Sequence, residues 1–141
     1  ELNIGQFETL PGEGSQINNS SIAMIISNID WSIFTAGDLE PPAQRRLLGA
    51  VRKVDIYKVS HHGSKYQDVE LISELSPQIA IISVGAGNPY GHPAAETIAS
   101  LTRLGTQVFR TDQDGAIAIT AQSHHLRVRK SKSAIGLFYW S

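Results

Sequence analysis

The stretch from Ile79 to Val84 (IAIISV) does most to limit what this chain can become. A nearly unbroken apolar run with several β-branched residues fits a strand buried on both faces, and such strands belong to sheets covered on both sides. Sheets of that kind are mostly parallel, and parallel neighbours need crossover connections, usually helices. The flanking residues supply one. Gly85 to Gly91 forms a long turn rich in Gly and Pro, and His92-Pro93 then leads into AAETIASLTRLG, where Ile98, Leu101 and Leu104 form an inward stripe. Pro93 suits the start of that helix and Gly105 its C-terminal cap.

The rest of the chain alternates in the same way. Apolar runs predict strands over 21–27 and 31–36, separated by the hairpin signal Asn28-Ile29-Asp30, and further strands over 55–60, 107–110, 116–121 and 126–129. Helices are expected over 42–52, opened by Pro41-Pro42, over 67–75 and over 94–104. Residues 1–17 read as an irregular lead-in, 18–130 as one domain and 131–141 as a tail. Strands that alternate with helices after an initial strand pair define an α/β fold with a mixed sheet.

Composition narrows the chemistry. The 141 residues are 41% hydrophobic, enough for one real core, and the formal net charge of −1 provides no global basic field for a polyanion. No cysteine is present, so disulfides and thiolate ligands are excluded and any metal site must use His, Asp or Glu. No apolar run approaches the roughly 18 residues that span a bilayer.

Three short segments stand where α/β sheets collect their ligands, beyond the carboxyl ends of strands. These are Gly37-Asp38, His61-His62-Gly63-Ser64 and Tyr90-Gly91-His92-Pro93. Asp38 reads either as a turn or capping aspartate or as a carboxylate ligand. His61 and His62 are either exposed loop histidines or contain one metal ligand, His62 being favoured, because adjacent side chains on an extended segment point opposite ways. His92, just before the best-defined helix, either bonds a loop carbonyl or donates to an anion or a leaving oxygen. Asp112 and Asp114 in TDQDG read as a hairpin turn, His124-His125 as a solvated turn, and Arg45, Arg46, Arg52 and Lys53 as a solvated basic face.

FTAGDLEPPAQRRLL, DIYKVSHHGSK, IAIISVGAGNPYGHPAAETIASL and VFRTDQDGAI, in this order and spacing, resemble the metallo-β-lactamase-like domain of ComEC-type DNA-uptake competence proteins, over about Asn18 to Ile119. The resemblance implies the C-terminal half of an αββα sandwich with a two-metal hydrolytic site, zinc or manganese, that cleaves DNA phosphodiester bonds. In that reading Asp38 is the bridging carboxylate, His62 or His61 the last histidine ligand, and Ser64, Asn88, Tyr90 and His92 line the substrate side, with Asp38 and His92 catalytic. It further implies single-stranded DNA as partner and a soluble domain within a bacterial inner-membrane protein. The family's H-x-[HD]-x-D-H motif is absent from these residues, so the chain is expected to begin midway through the domain and to be inactive alone. A sheet face left uncovered by the missing half would favour a homodimer. The alternatives are a non-catalytic DNA-binding or assembly module and a hydrolase of the same fold acting on another phosphoester.

Overall fold

A computed structural model of the chain describes residues 15–132. Its centre is a five-stranded sheet in the order β1-β2-β3-β4-β5, built from β1 (Met24–Ser27), β2 (Ser32–Thr35), β3 (Ile56–Lys58), β4 (Ile79–Ile82) and β5 (Gln107–Arg110). The first two strands form an antiparallel hairpin, with Met24 opposite Thr35 and Ser27 opposite Ser32. Asn28 closes it by accepting the N–H groups of Asp30 at 2.8 Å and Trp31 at 2.9 Å. From β2 onward neighbouring strands are parallel, so the carboxyl ends of β2, β3 and β4 lie side by side.

The crossovers carry α2 (Pro41–Arg45), α3 (Val69–Leu75) and α4 (Ala95–Arg103). They cover the face on which Ile25, Phe34, Tyr57, Ala80 and Val108 stand in one register row. Phe34, Tyr57, Ala80 and Ile82 are buried there with Leu39, Leu71, Ile72, Leu75 and Leu101. Each large side chain contributes roughly 1.5–3 kcal/mol by leaving water, and the Phe34 and Tyr57 rings meet at 5.7 Å. Chain continuity then passes through the one-turn α5 (Thr111–Asp114) into a separate antiparallel hairpin, β6 (Ile117–Gln122) with β7 (His125–Lys130). Ile117, Ile119 and Ala121 of β6 face Trp31, Ile33, Ile56 and Ile81 across a gap of about 210 Å³ on the second face of the sheet. Met24 and Ile26 continue that second face on β1 and stay exposed. Among the described residues no helix is long and apolar enough to cross a membrane.

The structure departs from several sequence expectations. The helix expected over 42–52 ends at Arg45; Arg46, Leu47 and Leu48 continue it only as three-residue turns onto Ala43, Gln44 and Arg45, and Gly49 at φ +74° breaks it. Leu47, Leu48 and Val51 still pack on the core, which is what the apolar spacing recorded. TDQDG is no hairpin turn: it is α5, held by Arg110 to Asp112 at 2.6 Å and Lys130 to Asp114 at 2.8 Å, and it carries the chain from one sheet to the other. The lead-in contains a short α1 (Gln16–Asn19) capped by Ser15, whose Oγ accepts the Asn18 N–H at 3.1 Å. The first strand starts at 24 instead of 21, and the strands expected to end at 60 and 84 stop at Lys58 and Ile82, where the chain turns into the loops of the sheet edge. Residues 1–14 of the lead-in and 133–141 of the tail lie outside the described residues.

One buried polar side chain ties the helical layer together. Gln44 donates to the Leu39 carbonyl at 2.6 Å and accepts the Asp68 N–H at 2.6 Å, while Asp68 caps α3 by accepting from Leu71 N–H at 3.0 Å. Because Gln44→Ala strands two buried backbone groups, it is expected to cost about 2–4 kcal/mol, measured by urea unfolding.

Candidate functional site

The edge beyond β2, β3 and β4 is organised by a turn in left-handed backbone. His61 (φ 46°), His62 (φ 53°) and Gly63 (φ 76°) follow one another in a conformation that costs non-glycine residues energy. Surroundings hold it there. The Tyr57 hydroxyl accepts the Ser60 N–H at 3.2 Å, the His61 N–H donates to the Gly37 carbonyl at 3.0 Å, and the Ala94 N–H donates to the Gly63 carbonyl at 2.8 Å. A Cβ at Gly63 would stand 2.7 Å from the Pro93 Cβ and 3.1 Å from the Ile82 Cγ2, so glycine is required by space as well as by φ.

This turn sends the two imidazoles to different partners. His62 Nδ1 lies 2.7 Å from the Ser83 carbonyl, which can only accept, so Nδ1 carries the proton. Its Nε2 lies 3.6 Å from Asp38 Oδ1. Asp38 is placed by its own N–H, which donates to Ser21 Oγ at 3.1 Å. His61 instead sets Nδ1 3.1 Å from Oε1 of the buried Glu40, without the alignment of a hydrogen bond, and meets the His92 ring edge-on at 5.6 Å. Glu40 is satisfied besides by Ser15 N–H at 2.9 Å and Asn18 Nδ2 at 3.1 Å.

Asp38, His61, His62 and His92 therefore gather at one edge although 54 residues separate the first from the last. A cleft of about 460 Å³ opens beside them, lined by His62, Ser83, Val84, Gly85, Asn88, Tyr90, His92 and Thr111. Burial, and then the charges His61 and His62 would carry, hold the His92 imidazole below the usual histidine range, while Asp38 opposes them. Burial likewise pushes the Lys58 ammonium down, with Asp38 pulling it back up. Ser64 is placed differently from the others. It is buried behind the turn, where its carbonyl accepts from Thr97 Oγ1 at 2.7 Å and its hydroxyl from Tyr66 N–H at 3.2 Å, and it lines neither cleft at this edge. His92 is not adjacent to the N-cap of α4, which is Ala94.

A divalent ion calls for three or four protein donors of this kind. Asp38 Oδ1 and His62 Nε2 lie close together, and the Ser83 carbonyl orients His62 as a partner behind a metal ligand does, but among the described residues no three His, Asp or Glu donors stand close enough to hold an ion. The residues present fit part of a metal site. Glu40, Lys58 and Thr111, whose Oγ1 accepts the Val84 N–H at 2.7 Å, were not singled out in the sequence. For Glu40 a signal existed, an acid two residues beyond Asp38 at the mouth of a proline-led helix.

The fold and edge together define a mostly parallel α/β protein with a histidine and carboxylate cluster at the carboxyl ends of its strands. The chain is 37% identical over 118 residues, 79% of its length, to ComE operon protein 3 of Bacillus subtilis. It is 27% identical over 123 residues, 86% of its length, to Recombination protein 2 of Haemophilus influenzae. It spans 15% and 16% of these relatives' own lengths. No protein-family model matches the chain.

The opposing influences on His92 give a titration with a definite sign. Asp38→Asn removes the carboxylate that favours the imidazolium, so the His92 midpoint should move further down; His61→Ala removes a repelling cation and should move it up. Histidine ring-proton shifts followed by NMR against pH read both, and a rise in Asp38→Asn would contradict this geometry.

Proposed function

We propose that the chain contributes the Asp38 and His62 side of a metal-dependent phosphodiesterase site, in a domain of the metallo-β-lactamase αββα type, and that its substrate is single-stranded DNA during natural transformation. The observation that carries this reading is His62 Nε2 lying 3.6 Å from Asp38 Oδ1, with the ring oriented by the Ser83 carbonyl on Nδ1, at the edge where α/β sheets bind ligands. Its similarity to ComE operon protein 3 and Recombination protein 2 supports the placement in competence and DNA uptake.

In the complete domain, Asp38, His62 and, on the neighbouring side, His61 would hold zinc or manganese, with two ions in all and the remaining donors from outside this set. When bound, such ions supply activated water and charge stabilisation at the phosphorus. This chain's residues then have separable tasks. Asp38 and His62 bind, Ser83 orients His62, and His92, held toward its neutral form, hydrogen-bonds the scissile phosphate or the leaving oxygen. The domain would be a soluble part of a bacterial inner-membrane protein, with the rest of that polypeptide as its partner.

That no third donor completes an ion site among the described residues favours one other reading, a module that binds DNA or assembles with its parent without cleaving. The two separate in the parent polypeptide. There Asp38→Ala and His62→Ala should each lower bound metal and reduce metal-dependent cleavage of labelled single-stranded DNA at least about a hundredfold, while His92→Ala keeps the metal and lowers turnover. Undiminished cleavage by the Asp38→Ala protein ends the metal reading. The open second face carries a further expectation: with Met24 and Ile26 exposed beside a partly filled gap, the isolated chain should self-associate into a dimer at tens of micromolar, and a monodisperse monomer in light scattering would refute this.

A further inference from the structure

We propose that Tyr90, stacked on His92, is a nucleobase platform, so that the strand brought to Asp38 and His62 is gripped by one unstacked base as well as by its phosphates. Tyr90 is 80% exposed. A tyrosine ring in water forfeits the favourable burial it would gain in a core, yet the loop around this one is built to keep it in place. Asn88 Oδ1 accepts the Tyr90 N–H at 2.8 Å, and Asn88 Nδ2 donates to the His92 carbonyl at 2.6 Å, so one side chain clamps both ends of the three residues. Gly91 at φ +72° makes the bend between them, and the Ala94 N–H to Gly63 carbonyl bond at 2.8 Å ties the end of the loop to the histidine turn.

The result is a ring held at 6.1 Å and 25° to the His92 ring, which in turn meets His61 at 5.6 Å. One side of the tyrosine ring is turned toward the imidazole, and four-fifths of the residue is open to solvent. Tyr90 and His92 also line two depressions. On one side is the cleft of about 460 Å³ with His62 and Asn88; on the other is one of about 390 Å³ with Lys65 and Tyr66. A single strand passing from one depression to the other can lay a base on the tyrosine while a flanking phosphate approaches Lys65. Every base offers a π face, so the grip is tolerant of sequence, and a base paired and stacked in a duplex has no free face to offer. This platform selects unpaired DNA; it rests on the phosphodiester reading above and adds the element that discriminates strandedness.

The test compares, by fluorescence anisotropy on the full chain, a labelled oligothymidylate, an oligomer of equal length with abasic sugars, and a duplex. The oligothymidylate should bind about tenfold tighter than the abasic strand, in line with stacking on one aromatic ring. Tyr90→Leu should abolish that difference and leave abasic binding unchanged, and Tyr90→Trp should preserve it. Equal losses of the two single strands in Tyr90→Leu, or duplex binding as tight as oligothymidylate, would overturn the platform. If the unmodified chain binds thymidylate and abasic strands equally, the platform alone fails and the phosphodiester reading stands. If it binds no oligomer, the platform fails, and cleavage by the parent polypeptide decides the phosphodiester reading separately.

Discussion

The hydrogen bond from the His61 N–H to the Gly37 carbonyl, 3.0 Å long, joins the loop after β2 to the turn after β3, and the candidate site depends on it. Left-handed backbone at two consecutive histidines is unfavourable by itself. It persists because that bond, the Tyr57 hydroxyl beneath Ser60 and the Ala94 N–H on Gly63 fix the turn from three directions. The same strain aims the imidazoles apart. An extended chain would also have separated them, but only the turn brings His62 over Asp38 and His61 over Glu40.

Beneath that edge, buried polar groups do for the loops what apolar contacts do for the sheet. Glu40 and Gln44, both buried, bond backbone or amide groups of Ser15 and Asn18 in the lead-in, of Leu39 ahead of α2 and of Asp68 at the cap of α3. Such networks are stabilising only when each member is satisfied, and here they link the loop that carries Asp38 to the helix layer. A structural network and a candidate site thus share residues, so a change at Glu40 would disturb both.

Much of the fold could be read from local pattern. The parallel core was legible in IAIISV, and the β1-β2 hairpin in Asn28-Ile29-Asp30, because periodicity and turn chemistry are local properties. The helix over 42–52 was overextended because Leu47, Leu48 and Val51 keep core-facing spacing even in irregular turns. TDQDG was misread because Asp-Gly is a turn signal whose local chemistry does not reveal that Arg110 and Lys130 will pair with both aspartates and wind them into a helical turn.

By itself, the sequence determined the main strands, the longer helices, the absence of thiolate chemistry and several of the polar residues that end up beyond strand ends, since these follow from composition, spacing and the rule that parallel sheets place such loops together. Only the tertiary structure decided which of them meet. His62 faces Asp38 because the carbonyl of Ser83, just beyond β4 and 21 residues away, accepts a hydrogen bond from its Nδ1; His61 turns to Glu40; Ser64 is buried behind the turn; and Tyr90 is held out in solvent by Asn88. Such choices depend on hydrogen bonds between segments far apart in the chain, and local pattern carries no information about their geometry.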